Sequence, residues 1–78
     1  MNYKEIKEYA TKIDSTLRAD DKTKFNKIVH VVHEDGSTFI LMYSHVEEHD
    51  NWYIVFSEHN GWHVFHKDET VSIKQYNF

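Results

Sequence analysis

The sequence contains no cysteine and no proline. Without cysteine there is no disulfide to staple a small fold, and no thiolate to bind metal or attack a substrate. Only two glycines occur, Gly36 and Gly61. Both fall inside turn signals, which leaves none to build a phosphate-cradling loop. Arginine appears once against eight lysines and alanine only twice, the residue choice of an AT-rich genome rather than of any chemistry. No apolar run approaches the roughly 20 residues of a bilayer span. Residues 1–10 lack the apolar segment of a secretory leader, so the expectation is a cytoplasmic protein without a membrane contact.

What is present is aromatic and acidic. The 78 residues amount to one domain, residues 1–78, and aromatic residues make up 15% of it. A chain of this size buries only about 60% of the surface it would expose unfolded. Large, stiff aromatic side chains are an efficient way to fill so thin a core, because they bury much area per frozen rotor. The net charge of −4 is unevenly spread. Residues 1–27 carry seven Lys/Arg against five Asp/Glu, and residues 28–78 carry two against eight. All seven histidines lie in that acidic part. Such a surface repels a nucleic-acid backbone and attracts a basic protein.

Residues 2–18 have the spacing of an amphipathic helix, with Tyr3, Ile6, Ala10, Ile13 and Leu17 on one face. Asn2 and Glu5 stand three apart, as in a capping box. Ala19-Asp20-Asp21 then ends the helix. Residues 23–34 and 37–46 read as two strands around Asp35-Gly36, a preferred pair for a two-residue type I′ turn. That turn sets Val31 opposite Ile40 and Val29 opposite Met42 on one face. It sets Val32 opposite Phe39, His30 opposite Leu41 and Ile28 opposite Tyr43 on the other. Residues 52–58 and 62–67 form a second hairpin around Asn60-Gly61, with Phe56 facing Phe65, and residues 70–76 form an edge strand. The expected fold is α+β: an N-terminal amphipathic helix packed on an antiparallel β-meander of four to five strands. In a meander the Glu34-Asp35 and Glu58-His59 turns lie at one end, and the Glu47–Asp50 and Asp68-Glu69 connections at the other.

One helix covers one face of a sheet. The helix is expected over the aliphatic face with Val29, Val31, Ile40 and Met42. The face with Phe39, Leu41 and Tyr43 is then left for another molecule. Tyr53 and Trp62 extend it, and Glu34, Asp35, Glu47, Glu48 and Asp50 sit at strand ends as a charged rim, the usual anatomy of a protein-binding patch.

Catalytic and metal chemistry find little support. His30/His33 and His63/His66 have HxxH spacing, but on a strand an odd separation sends the rings to opposite faces. Glu58 and His63 would form an exposed pair with no burial to tune either group. The expectation is neither an enzyme nor a metal or cofactor protein. Lys22, Lys24 and Lys27 around Phe25 make too small a basic cluster for direct nucleic-acid binding.

In length, acidity, absence of cysteine and AT-rich residue choice, the chain resembles the small inhibitors that phages and mobile elements direct at host proteins, anti-CRISPR proteins among them. The resemblance implies a stoichiometric inhibitor that occludes a basic, nucleic-acid-binding protein of the host cytoplasm. The alternatives are a homodimeric structural protein and a histidine-dependent metal or pH-responsive module.

Overall fold

The computed structural model describes residues 1–20 and 22–78, so the expected turn at Ala19-Asp20-Asp21 lies partly outside the described residues. Helix α1 spans Tyr3–Asp20. Its start is closed by the capping box: the Glu5 N–H donates to Asn2 Oδ1 at 2.9 Å, and the Asn2 N–H donates to Glu5 Oε1 at 3.0 Å. Ile6, Ala10 and Leu17 are buried along one stripe, as their spacing requires. Five antiparallel strands follow: β1 Lys27–His33, β2 Thr38–His49, β3 Trp52–Ser57, β4 Gly61–His66 and β5 Thr70–Asn77. Their order across the sheet is β4-β3-β2-β1-β5. The first four strands form a meander. The last crosses over to pair with β1 rather than β4.

The long strand β2 serves two partners at different points along its length. Its first half pairs with β1, from Val32↔Thr38 to Lys27↔Ser44. Its second half pairs with β3, from Ser44↔Ser57 to His49↔Trp52. Between the halves the β1–β2 register shifts at a bulge, and Tyr43 adopts a left-handed φ of 52°. A bulge of this kind bends a strand and lets it pass from one sheet layer to the next. The outcome is two three-stranded leaves, β5-β1-β2 and β2-β3-β4, folded face to face. Val29, Val31 and Leu41 of the first leaf form one buried cluster with Val55 of the second, and Phe39, Val46, Phe65 and Ile73 pack around it. The helix lies on the outside of the second leaf. There Ile6, Ala10 and Leu17 join Ile54, Phe56 and Phe25, flanked by Trp52, Trp62 and Val64. Arg18, the single arginine, locks the helix to the β3–β4 turn by donating to the carbonyls of Ser57 at 2.6 Å and Glu58 at 2.8 Å.

The register near the first turn differs from the sequence expectation by one residue. The His33 N–H donates to the Ser37 carbonyl at 2.9 Å, and the Gly36 N–H donates to the His33 carbonyl at 3.0 Å. The loop therefore has three residues, with Gly36 at φ 86°, and is not a two-residue type I′ turn. Val31 pairs with Phe39 and His30 with Ile40. One residue of slip exchanges faces. Phe39 and Leu41 therefore join Val29 and Val31 in the core, and Ile40 and Met42 turn outward at 62% and 50% exposure. The second hairpin differs by three positions: Phe56, expected opposite Phe65, pairs with Trp62, and Ser57 pairs with Gly61. Residues 22–24 form a 3-10 turn rather than strand, and Phe25 is buried beside the helix.

The two registers make different stability predictions. In this fold Ile54→Ala costs about 2–5 kcal/mol, whereas Ile40→Ala costs less than about 1 kcal/mol because Ile40 is mostly solvated. Urea melts of the two variants are the check, and a larger loss at Ile40 would restore the type I′ register. Gly36→Ala meets no atom within 4 Å, yet holding a side chain at positive φ costs it about 1–2 kcal/mol in the same measurement.

Candidate functional site

The crossing of β5 brings two distant acidic segments together. β4 ends at His66, and the chain turns through Lys67–Glu69 to reach the opposite edge strand. On the way the Glu69 carbonyl accepts the Glu34 N–H at 3.0 Å, which ties the β4–β5 connection to the β1–β2 turn. The expected separation of these acids at opposite ends of the sheet is therefore not found. Antiparallel order alone would separate them; the folding of the sheet on itself reunites them.

Between these segments lies an aromatic wall. The Phe65 ring of β4 stands 4.9 Å from the His33 imidazole and 5.0 Å from the Phe39 ring, and His33 and Phe39 are 5.6 Å apart. His33 Nδ1 lies 3.3 Å from the Glu69 carbonyl oxygen, which holds the imidazole against this wall. Two shallow depressions open on either side of Phe65. One, of roughly 420 Å³, is lined by His33, Glu34, Asp35, Ser37, Phe65 and Glu69. The other, of roughly 610 Å³, is lined by Phe39, Leu41, Asn60, His63 and Phe65. The Nε2 of His63 is buried without a hydrogen-bond partner among the described residues.

The carboxylates at this mouth have no lysine or arginine partner among the described residues, and the charged group acting on Asp35 is the neighbouring His33 imidazole. Three acids elsewhere are paired with fixed cations: Asp14 with Arg18 at 2.9 Å, Glu48 with Lys67 at 3.0 Å, and Asp50 with the N-terminal ammonium at 2.9 Å. Glu47 lies between His45 at 3.2 Å and the Tyr9 hydroxyl at 3.4 Å. Glu34, Asp35 and Glu69 are exposed, and none pairs with a lysine or arginine among the described residues. Asp35 accepts hydrogen bonds from the Ser37 hydroxyl at 2.6 Å and the Ser37 N–H at 2.9 Å. These bonds, the hydroxyl's first, hold its carboxyl below the usual aspartate range and so keep it charged. No three His, Asp or Glu side chains among the described residues gather closely enough to hold a metal ion.

Of the residues expected to bind a partner, Glu34 and Asp35 line the first depression, and Phe39 and Leu41 the second. The others line neither. Leu41 itself is a core residue at 9% exposure, and Trp62 packs beneath the helix, so neither is the exposed anchor expected. Tyr43 sits at the bend of β2, stacked on Phe78 at 4.5 Å. Tyr53 lies under the Lys67 ammonium at 5.3 Å, and Glu47, Glu48 and Asp50 are taken up as above. The face holding Phe39 and Leu41 is roofed by the second leaf of the chain's own sheet. Of the residues expected beneath the helix, Ile40 and Met42 are instead left in solvent. His33, Phe65 and Glu69 were missed, because no sequence signal places β5 beside β1. No family model matches the chain, and no curated protein or solved structure matches it either.

The charged groups define a pH window for stability. The carboxyls of Asp35 and Asp50 are both held low, Asp50 chiefly by its hydrogen bond and ion pair with the N-terminal ammonium. A carboxyl held low in the folded state adds stability that is complete above its unfolded value and is lost as pH falls through the folded one. Burial, then the Glu47 charge and hydrogen bond, raise the Tyr9 phenol. Its contribution is complete below the ordinary tyrosine range and is lost as pH rises past it. The thermal midpoint is accordingly expected to fall below about pH 4 and again above about pH 10. Acetylating the N-terminus should shrink the acid-side fall, and Tyr9→Phe the alkaline one.

Proposed function

We propose that this chain is a small acidic protein-binding module that receives a basic segment of a partner protein at the Glu34–Asp35–Glu69 mouth. It acts by occupying that segment stoichiometrically, in the manner of an anti-defence inhibitor. One observation carries the reading: three exposed carboxylates without a lysine or arginine partner among the described residues line an aromatic, concave surface. Asp14, Glu48 and Asp50, by contrast, are each paired with a cation within the fold. Negative charge beside exposed ring surface supports complementarity to a cationic, partly apolar partner, because like charge is repelled and opposite charge is steered in. A protein that binds nucleic acid presents such a surface, since its phosphate contacts are lysines and arginines. The second depression adds apolar area along Phe39 and His63, where the residues flanking a basic side chain would lie.

An array of random 12-residue peptides, probed with the wild-type chain and with Glu34→Lys/Glu69→Lys, tests the reading. The peptides retained by the wild-type chain are expected to carry excess positive charge, and the variant should lose them while its circular-dichroism melt stays intact. Retained peptides without that excess, or equal retention by the variant, would overturn it.

A further inference from the structure

We infer that the residue taken at the mouth is arginine, presented by a partner protein, rather than lysine; this rests on the protein-binding reading above. The chemistry of the lining selects it. Asp35 is already engaged by Ser37, which leaves the carboxylates of Glu34 and Glu69 free on two segments joined by the Glu34 N–H to Glu69 carbonyl bond. The Phe65 ring and the His33 imidazole line the same depression, 4.9 Å apart and tilted by 57°. The negative charge is carried by two separate segments of the rim, the loop with Glu34 and the turn with Glu69. A spread rim over ring faces suits a planar, delocalised cation. A guanidinium stacks on an aromatic face and offers several N–H donors in its plane, enough for two separate carboxylates. An ammonium is a compact and strongly hydrated charge. It would give up more hydration on entering an aromatic recess and would meet one carboxylate at a time.

The mouth is also held in shape before anything binds. His33 is fixed by the Glu69 carbonyl, Asp35 by Ser37, and Gly36 closes the hairpin loop. Rigid placement lowers the entropy that binding must remove.

The test titrates the isotopically labelled chain with N-acetyl-arginine amide and, separately, with N-acetyl-lysine amide at millimolar concentrations, following backbone amide shifts by NMR. The arginine compound is expected to give saturable shifts at residues 33–37 and 65–69 at severalfold lower concentration than the lysine compound. Glu34→Gln/Glu69→Gln, two exposed and isosteric changes, should abolish them without changing the remaining spectrum. Equal response to the two compounds, shifts centred elsewhere, or shifts that persist in the double variant would each overturn the arginine assignment. The peptide array judges the protein-binding reading separately: retained basic peptides that keep binding when every arginine is replaced by lysine would uphold that reading and overturn this inference.

Discussion

At Tyr43 and Ser44 the longest strand changes from one sheet layer to the other, and the placement of every later element depends on that corner. A straight strand of β2's 12 residues would span roughly 36 Å or more, as long as the whole molecule's 35 Å long dimension. Bending it costs something. A tyrosine at φ 52° carries a backbone penalty of about 1–2 kcal/mol. The penalty is offset locally by the stack on Phe78, by edge contact with His59 at 5.8 Å, and by the Glu58 N–H donated to the Tyr43 carbonyl at 2.9 Å. It is offset globally by the cluster around Val29, Val31 and Val55, all fully buried between the leaves. The residues at the corner are small: Ser44 pairs with both Lys27 and Ser57, and both serines are fully buried. Larger side chains there would hold the two leaves apart.

Folding the sheet upon itself resolves a difficulty of size. A 78-residue chain with a flat, two-sided apolar sheet and one helix leaves half of that sheet wet. The bend lets the second leaf roof the first, so the helix is free to cover the outside of β3 and β4. The apolar surface is spent mainly on the chain's own interior, and the surface left at the mouth is mixed: ring edges, two unengaged carboxylates, and the rim of a hairpin. Mixed surfaces of this kind recognise by charge and shape more than by buried area.

The charge distribution follows the same logic. Asp14, Glu48 and Asp50 are matched by the arginine, a lysine and the N-terminus, and Glu47 lies beside His45 as Asp35 lies near His33. At the mouth no lysine or arginine among the described residues comes within pairing distance, because the lysine-rich part of the chain lies in the helix and the turn after it. Segregation of charge along the sequence thus becomes segregation in space once Glu34 and Glu69 are joined by a backbone hydrogen bond.

Local rules were sufficient for much of this. The helix and its cap, five strands, the two glycine turns and the acidic second part are all legible in the sequence, since each depends on neighbours a few residues away. Faces and partners were not legible. Asp35-Gly36 signals a hairpin but does not distinguish a two-residue loop from a three-residue loop, and that single residue moved Phe39 and Leu41 inward and Ile40 and Met42 outward. Nor does any stretch announce that β5 will prefer β1 to β4. Strand pairing is a choice among distant edges, decided by which closure buries Ile73 and Phe65 together. What composition and periodicity determined is the set of elements and their charge. Only the tertiary structure decided which side chains are core and which acids share a mouth, because side-chain direction in a strand alternates and long-range contacts set its phase.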